Sequence, residues 1–149
     1  QAQNGRQRRR PDQQCHGEAP DEHDAQTVSQ HSHRDGGVKG LAHITGGGLT
    51  ENIPRVLPDN VAVKLDANLW KKAGIFGWLA KEGNMTAPDM ARTFNCGLGM
   101  VVIVEPAKAA AIKTLLESEG ETVFTIGAVI SRKDDAPQVI IDNQDALLS

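Results

Sequence analysis

The feature that most constrains the fold of this chain is a break in composition near Gly36. Residues 1–35 contain no Leu, Ile, Met, Phe or Trp, so the large apolar side chains are confined to the remainder of the chain. A segment of this kind cannot bury enough apolar surface to offset the entropy of ordering it. We therefore predict a disordered or non-native leader over residues 1–36 and one folded domain over residues 37–149.

The leader invites two functional interpretations, because it is rich in histidine and arginine. Four of the five histidines in the chain lie there, which suggests a metal-binding cluster, and four arginines near its start suggest a nucleic-acid arm. The histidines are scattered, acidic residues lie among them, and no aromatic side chain is present for base stacking. A solvated tail with no metal site is the favoured interpretation.

The overall charge and the cysteines narrow the possible partners and the compartment. The chain has 16 basic and 19 acidic residues, a net charge of −3, which does not favour nucleic acid or an anionic membrane surface. Cys15 and Cys96 form no CxxC or Cys/His ligand spacing, as is typical of a reduced cytosolic protein. No apolar run approaches the roughly 20 residues that cross a bilayer, so we predict a cytoplasmic location.

Alternating or continuous apolar runs from Val38 onward predict strands. They cover residues 38–45, 61–66 and 97–105, the last of which we expect to be a central strand. Residues 122–131 and 138–142 flank the turn-like RKDDAP and are expected to close the fold as an antiparallel pair.

Three segments between these strands predict helices. Residues 69–83 repeat apolar side chains on one face, Thr86 begins a capping pattern, and residues 106–120 open with proline and end at glycine. The mixed order of helices and strands predicts an α+β fold, with helices packed on a sheet.

The stretch LAHITGGGLTENIPRVLP, residues 41–58, carries the first chemical signal. Glycines 46–48 let the backbone approach a ligand closely, and a helix beginning at Thr50 or Glu51 would direct free N–H groups toward an anion such as phosphate. The alternative is a tight strand-to-helix turn that merely uses glycine. His43 and Thr45, two apart on a strand, should point to the same side.

A second polar patch lies in RTFNCGLGM, residues 92–100. Asn95 precedes the predicted strand and could offer side-chain hydrogen bonds to a ligand. Asn52 and Arg55 should lie roughly on one helix face, where Arg55 either clamps a phosphate or covers the helix surface. Cys96 has no histidine nearby in sequence to act as a base, so a buried thiol is favoured over a nucleophile.

Together, LAHITGGGLTENIPRVLP and MARTFNCGLGMVVIV strongly resemble the C-terminal domain of the aminoimidazole ribonucleotide synthetase family, also called phosphoribosylformylglycinamidine cyclo-ligase. The resemblance covers residues 36 to about 142. It implies a layered α/β/α unit with a mixed, partly ferredoxin-like sheet.

The resemblance also implies an activity and a set of partners. The family is cytosolic and homodimeric, and it uses ATP and Mg²⁺ to close the imidazole ring of formylglycinamidine ribonucleotide in purine biosynthesis. ATP activates the formyl oxygen, an amidine nitrogen attacks, and phosphate leaves, so positioning and charge stabilisation should dominate catalysis.

On this resemblance the candidate site residues fall into two groups. His43 is the candidate for polarising a substrate group or transferring a proton. The candidates for binding substrate or phosphate are Thr45, Gly46, Gly47, Gly48, Asn52, Arg55 and Asn95.

Nothing in residues 1–35 resembles the family's nucleotide-binding signature or its dimer-forming sheet. We therefore expect the main ATP and Mg²⁺ site to lie outside this chain, and whether the chain alone is an enzyme stays open. A coding frame disturbed upstream of Asp35 is one explanation for the leader, and an unrelated leader on a gene fragment is the other.

The expected protein partners are the missing N-terminal half or another copy of the chain. The rival function is a non-catalytic module that keeps the phosphate-binding loop and associates with a partner through the face normally covered by the missing domain. A different ATP-using enzyme of the same superfamily is a third, less favoured interpretation.

Overall fold

The computed structural model describes residues 37–149. Within this range the strands are β1 Val38–His43, β2 Val61–Asp66, β3 Met100–Val104, β4 Gly127–Ser131 and β5 Val139–Asp142. The α-helices are α1 Gly48–Asn52, α2 Gly74–Glu82, α3 Ala87–Thr93 and α4 Ala109–Ser118, with short 3-10 turns at Ile53–Val56, Pro106–Lys108 and Gln144–Leu148. The α+β class is confirmed, whereas the prediction for residues 1–36 lies outside the described residues.

β1 and β3 form an antiparallel ribbon, with Val38 opposite Val104 and His43 opposite Met100. We expected the apolar run 97–105 to be a central strand, and that was wrong for the described part of the chain, where β3 pairs with β1 alone. The strand begins at Met100 because Cys96 and Gly97 adopt φ values of 50° and 89°, which turn the backbone out of the extended conformation.

The second sheet has the order β4-β2-β5. β2 runs antiparallel to β4, with Val61 opposite Ser131, and parallel to β5, with Val63 opposite Val139. The predicted closing pair was therefore wrong, because β2 lies between the two last strands. The RKDDAP turn does form, with the N–H of Ala136 donating to the carbonyl oxygen of Lys133, but it leads across the end of β2.

β4 is also shorter than the predicted strand 122–131. β2 ends at Asp66, whose N–H donates to the carbonyl oxygen of Ile126. The residues before Ile126 consequently have no part of β2 beside them, and regular pairing starts at Gly127.

Among the helices, α2 departs furthest from expectation, because it begins at Gly74 and not near Leu69. Tertiary contacts hold the preceding segment in a non-helical path. The buried Trp70 donates its indole N–H to the carbonyl oxygen of Cys96 at 2.9 Å, and Lys72 Nζ donates to the carbonyl oxygen of Ala67 at 2.7 Å. One tertiary hydrogen bond, from Trp70, and one local hydrogen bond, from Lys72, thus override the helical spacing of the sequence.

The other two predicted helices are confirmed. Thr86 caps α3 in a reciprocal capping box with Asp89. The segment 106–120 forms a 3-10 turn followed by α4, and Gly120 lies just beyond the helix with a φ of 99°.

One core joins the two sheets. Its fully buried side chains include Leu49, Ile53, Met90 and Leu147, which come from α1, the turn after it, α3 and the C-terminal turn. α1, which follows the glycines, packs against α3 within this core. Within residues 37–149, no helix combines the length and apolarity needed to cross a membrane.

Candidate functional site

The two polar stretches singled out from the sequence meet at one end of the β1–β3 ribbon. The N–H of Ile44 donates to the carbonyl oxygen of Gly99 at 2.9 Å, which extends the pairing of His43 with Met100 by one step. Gly48 packs against the backbone carbonyls of Ala91 and Phe94 at the end of α3. The loop 44–48 therefore packs directly against the loop 94–99.

The three glycines of the loop are not equivalent. Gly47 and Gly48 have φ values of 95° and 56°, which side chains rarely adopt. A Cβ at Gly48 would overlap the carbonyl oxygens of Ala91 and Phe94, and one at Gly47 would lie 2.7 Å from Glu51 Oε2. A Cβ at Gly46 would meet nothing within 4 Å among the described residues. The fold thus requires glycine at 47 and 48 but leaves open space at 46.

The helix after the glycines begins earlier than the sequence suggested. We expected a start at Thr50 or Glu51, whereas α1 begins at Gly48. The N–H of Gly48 donates to the carbonyl oxygen of Thr45 at 3.0 Å, and the N–H of Glu51 donates to that of Gly47 at 3.1 Å, which closes the first turn. The amide of Gly48 is therefore engaged within the loop.

Asn52 is buried, with 3% of its surface exposed, and it hydrogen-bonds to the loop itself. Its Nδ2 donates to the carbonyl oxygens of Thr45, Gly46 and Gly48 at 3.2, 3.2 and 2.8 Å. Its Oδ1 accepts a longer hydrogen bond, 3.4 Å, from Thr45 Oγ1. The side chain is fully engaged by the chain around it.

The remaining candidates of the first stretch lie at the surface. His43 and Thr45 are exposed while Ala42 and Ile44 are buried, so the two polar side chains lie on the same side, as the strand period predicts. Arg55 is exposed within the 3-10 turn. Asn52 is buried whereas Arg55 is exposed, and the expectation that the two lie roughly on one helix face stays a prediction.

The second stretch is built around a tight turn. Asn95 Oδ1 accepts a hydrogen bond from the N–H of Gly97 at 3.0 Å, so this oxygen stabilises the turn. Cys96 is fully buried, and burial raises the pKa of its thiol to about 11, against a smaller lowering effect of the Lys72 ammonium. A protonated, buried thiol is a poor nucleophile, which supports the interpretation as a core residue.

Sequence reasoning missed an ion pair that joins the two stretches. Arg92 Nε lies 3.1 Å from Glu51 Oε1, and both side chains are largely exposed. The two residues are 41 positions apart, so no helical or strand spacing indicates the contact. Each residue lies inside one of the two strings that carry the family resemblance, and this shared membership was the available sequence signal for the contact.

The residues described here do not by themselves fit a metal site. Within residues 37–149, no three His, Cys, Asp or Glu side chains come together in an arrangement that could hold a metal ion. A Mg²⁺ ion usually needs carboxylates together with phosphate oxygens and water. We accordingly derive no catalytic step through a metal from these residues.

Comparison with known proteins gives a consistent family. The family model described as "AIR synthase related protein, C-terminal domain" matches residues 1–140. A phosphoribosylformylglycinamidine cyclo-ligase of Neisseria meningitidis serogroup C is 52% identical over 101 residues, which are 68% of this chain and 29% of that protein. One of Chromobacterium violaceum is 53% identical over 104 residues, 70% of this chain and 30% of that protein.

The matching part of the chain thus spans less than a third of the length of these relatives. The model that matches describes a C-terminal domain, and the match covers more than half of the chain. The chain therefore belongs to the family of AIR synthase related proteins, as a C-terminal domain of that family.

Proposed function

We propose that residues 37–149 supply the C-terminal part of the active site of a phosphoribosylformylglycinamidine cyclo-ligase. The reaction is the ATP-dependent ring closure of formylglycinamidine ribonucleotide to aminoimidazole ribonucleotide in purine biosynthesis. The observation that carries the proposal is the convergence of the two family strings at one end of the β1–β3 ribbon, through the Ile44 to Gly99 hydrogen bond. The relatives named for this activity support it.

The roles of individual residues follow from their placement. His43 is exposed at the end of β1, where its imidazole can polarise a substrate group or transfer a proton. The exposed Gly46 and half-buried Gly47 offer backbone N–H groups to a phosphate oxygen, with Thr45 beside them. Arg55 and Asn95 lie farther along the two stretches as additional contacts.

ATP would supply the phosphoryl group that activates the formyl oxygen. We place the main site for ATP and Mg²⁺ outside residues 37–149, because the family resemblance implies that the nucleotide-binding signature belongs to an N-terminal domain. The proposal therefore requires an N-terminal half. It also includes the cytoplasmic location and the homodimer that the family resemblance implies.

A second candidate function is a non-catalytic module that binds phosphate and a protein partner. Apolar side chains at the surface favour it: Leu69, Ile75, Trp78 and Val129 are 49%, 52%, 56% and 44% exposed. In addition, α4 is exposed or half-buried along its whole length despite its apolar residues. Exposed apolar side chains that lie together mark sites of association, and Ile75 and Trp78 lie one turn apart on α2.

An assay of ATP-dependent cyclisation separates the two candidates. The full chain is assayed alone and after mixing with the N-terminal part of the Chromobacterium violaceum relative, the part that precedes the aligned region. Turnover only in the mixture supports the cyclo-ligase proposal. Binding of the ribonucleotide without turnover in either sample supports the non-catalytic module.

A further inference from the structure

Asn52 stands apart from the other candidate residues because its carboxamide is directed at the loop and not at solvent. Its Nδ2 lies within 3.2 Å of three main-chain carbonyl oxygens, those of Thr45, Gly46 and Gly48. The side chain is 3% exposed, so water does not compete strongly for these hydrogen bonds. A buried amide with this many backbone partners fixes the path of the loop.

The direction of these carbonyls determines where the loop's N–H groups point. Within the described residues no peptide bond is cis, and in a trans peptide the C=O of one residue points opposite to the N–H of the next. The carbonyls of Thr45 and Gly46 point toward Asn52. The N–H groups of Gly46 and Gly47 therefore point away from it, toward the surface on which Gly46 is exposed.

These two N–H groups are also not used by the rest of the described chain. The N–H of Gly48 donates to Thr45, and that of Glu51 donates to Gly47, but Gly46 and Gly47 donate to no main-chain carbonyl within residues 37–149. Open space lies in front of Gly46, where an added Cβ would meet nothing within 4 Å of the described atoms. The loop thus holds two adjacent N–H groups without a main-chain acceptor among the described residues, with open space beside Gly46 and the Glu51 carboxylate, paired with Arg92, beside Gly47.

We propose that Asn52 is a positioning residue of the active site, whose carboxamide fixes the loop 45–48 so that the N–H groups of Gly46 and Gly47 face a substrate phosphate. Asn52 itself does not touch the substrate. This inference rests on the proposed function. It changes the role of Asn52 from a direct ligand contact to a residue that orients the N–H groups of Gly46 and Gly47.

A matched pair of variants tests the inference. Asn52→Asp replaces the NH₂ donor by a carboxylate oxygen, which repels the three carbonyls. Gln138→Glu makes the same chemical change elsewhere, since Gln138 Nε2 donates to the carbonyl oxygens of Pro58 and Val61 at 3.1 and 3.2 Å. Asn52→Asp should change the path of the loop 45–48 and the direction of its N–H groups, whereas Gln138→Glu should leave both unchanged.

The measurement is an amide NMR titration of the full chain with two probes, ribose 5-phosphate and inorganic triphosphate, which separate a ribonucleotide phosphate from a nucleotide one. In the wild type and in Gln138→Glu, the Gly46 and Gly47 resonances should shift saturably with one probe. In Asn52→Asp, the affinity should fall at least tenfold while resonances remote from the loop stay in place. Equal affinity in Asn52→Asp, or no shift of these two amides in the wild type with either probe, would overturn the inference.

If Asn52→Asp does not fold, the titration of the wild type still tests the positioning role of Asn52. The side-chain NH₂ resonances of Asn52 should shift with the same dissociation constant as the Gly46 and Gly47 amides, because the loop and the carboxamide form one unit. Carboxamide resonances that stay fixed while the loop amides shift would contradict the positioning role.

The titration is independent of turnover, so it fails separately from the proposed function. Cyclisation in the mixture without any shift of these amides contradicts the inference and leaves the cyclo-ligase proposal standing. Amide shifts that depend on Asn52, in a mixture that does not cyclise the substrate, support the positioning role of Asn52 and contradict the cyclo-ligase proposal.

Discussion

At the scale of single residues, the three consecutive glycines illustrate how a structural and a functional requirement separate. Gly47 and Gly48 are needed by the backbone, because both have positive φ and Gly48 lies against two carbonyl oxygens. Gly46 has no such requirement within the described structure. The sequence shows only three identical letters, so it cannot distinguish the glycines that the fold needs from the one that a ligand would need.

Alanine substitutions should divide the glycines in the same way. Gly48→Ala should reduce the free energy of unfolding by about 1–3 kcal/mol, through strain at positive φ and overlap with the Ala91 carbonyl. Gly46→Ala should change it by no more than about 0.5 kcal/mol. Urea unfolding monitored by circular dichroism measures both. A Gly46→Ala loss as large as that of Gly48→Ala would show that the fold needs glycine at both positions.

The buried thiol of Cys96 gives a prediction about pH. Because its pKa is raised from 9.0 to about 11 in the folded chain, the unfolded chain loses this proton first as the pH rises. The stabilising contribution is complete below pH 9 and should be lost between pH 9 and 11.

Urea unfolding of Cys15→Ser at several pH values, compared with Cys15→Ser/Cys96→Ala, isolates this effect. The variant that keeps Cys96 should lose more stability between pH 9 and 11 than the one that lacks it. Parallel pH profiles in the two variants would contradict a raised thiol pKa.

At the scale of secondary-structure elements, local signals predicted well and long-range ones did not. The capping box of α3 and the limits of β2 were readable because they depend on neighbours in sequence. The order β4-β2-β5 was not, since the turn between the last two strands does not reveal that β2 lies between them. The start of α2 was missed because the Trp70 and Lys72 hydrogen bonds reach residues outside the helical pattern.

The N-terminal cap of α3 should contribute measurably to the stability of the fold. Thr86 Oγ1 accepts a hydrogen bond from the N–H of Asp89 at 3.3 Å, and the N–H of Thr86 donates to Asp89 Oδ2 at 3.2 Å. Thr86→Ala should therefore lower the free energy of unfolding by about 1 kcal/mol. Thr114→Ala is the matched control within α4, where Thr114 Oγ1 donates to the carbonyl oxygen of Ala110 and alanine is the better helix former. Equal losses in the two variants would argue against a specific capping effect.

At the scale of the whole molecule, the candidate site depends on contacts between distant parts of the chain. One core joins both sheets, and the two family strings meet only because β1 pairs with β3. The resemblance identified both strings from the sequence, but the way in which they touch, through Ile44 with Gly99 and Glu51 with Arg92, required the structure. Side-chain pairing across 41 residues has no local signature.

The exposed apolar surface predicts self-association of the isolated chain. Ile75 and Trp78 lie one turn apart on α2 and are 52% and 56% exposed. Sedimentation velocity should show concentration-dependent oligomers for the wild type and a shift toward monomer for Trp78→Lys. Lys81→Gln, an exposed polar change on the same helix, should behave as the wild type. A wild-type chain that stays monomeric at every concentration would contradict the prediction.

The proposed function requires residues 37–149 to complete a cyclo-ligase site together with an N-terminal half. The most direct test measures ATP-dependent cyclisation by the full chain mixed with the N-terminal part of the Chromobacterium violaceum relative, using the wild type, His43→Ala and Lys39→Ala. Turnover is expected in the wild-type mixture and in the Lys39→Ala mixture, whose substitution lies at the other end of β1. His43→Ala should reduce turnover roughly 10²- to 10⁴-fold without loss of stability. No turnover in the wild-type mixture despite complex formation, or full turnover with His43→Ala, would contradict it.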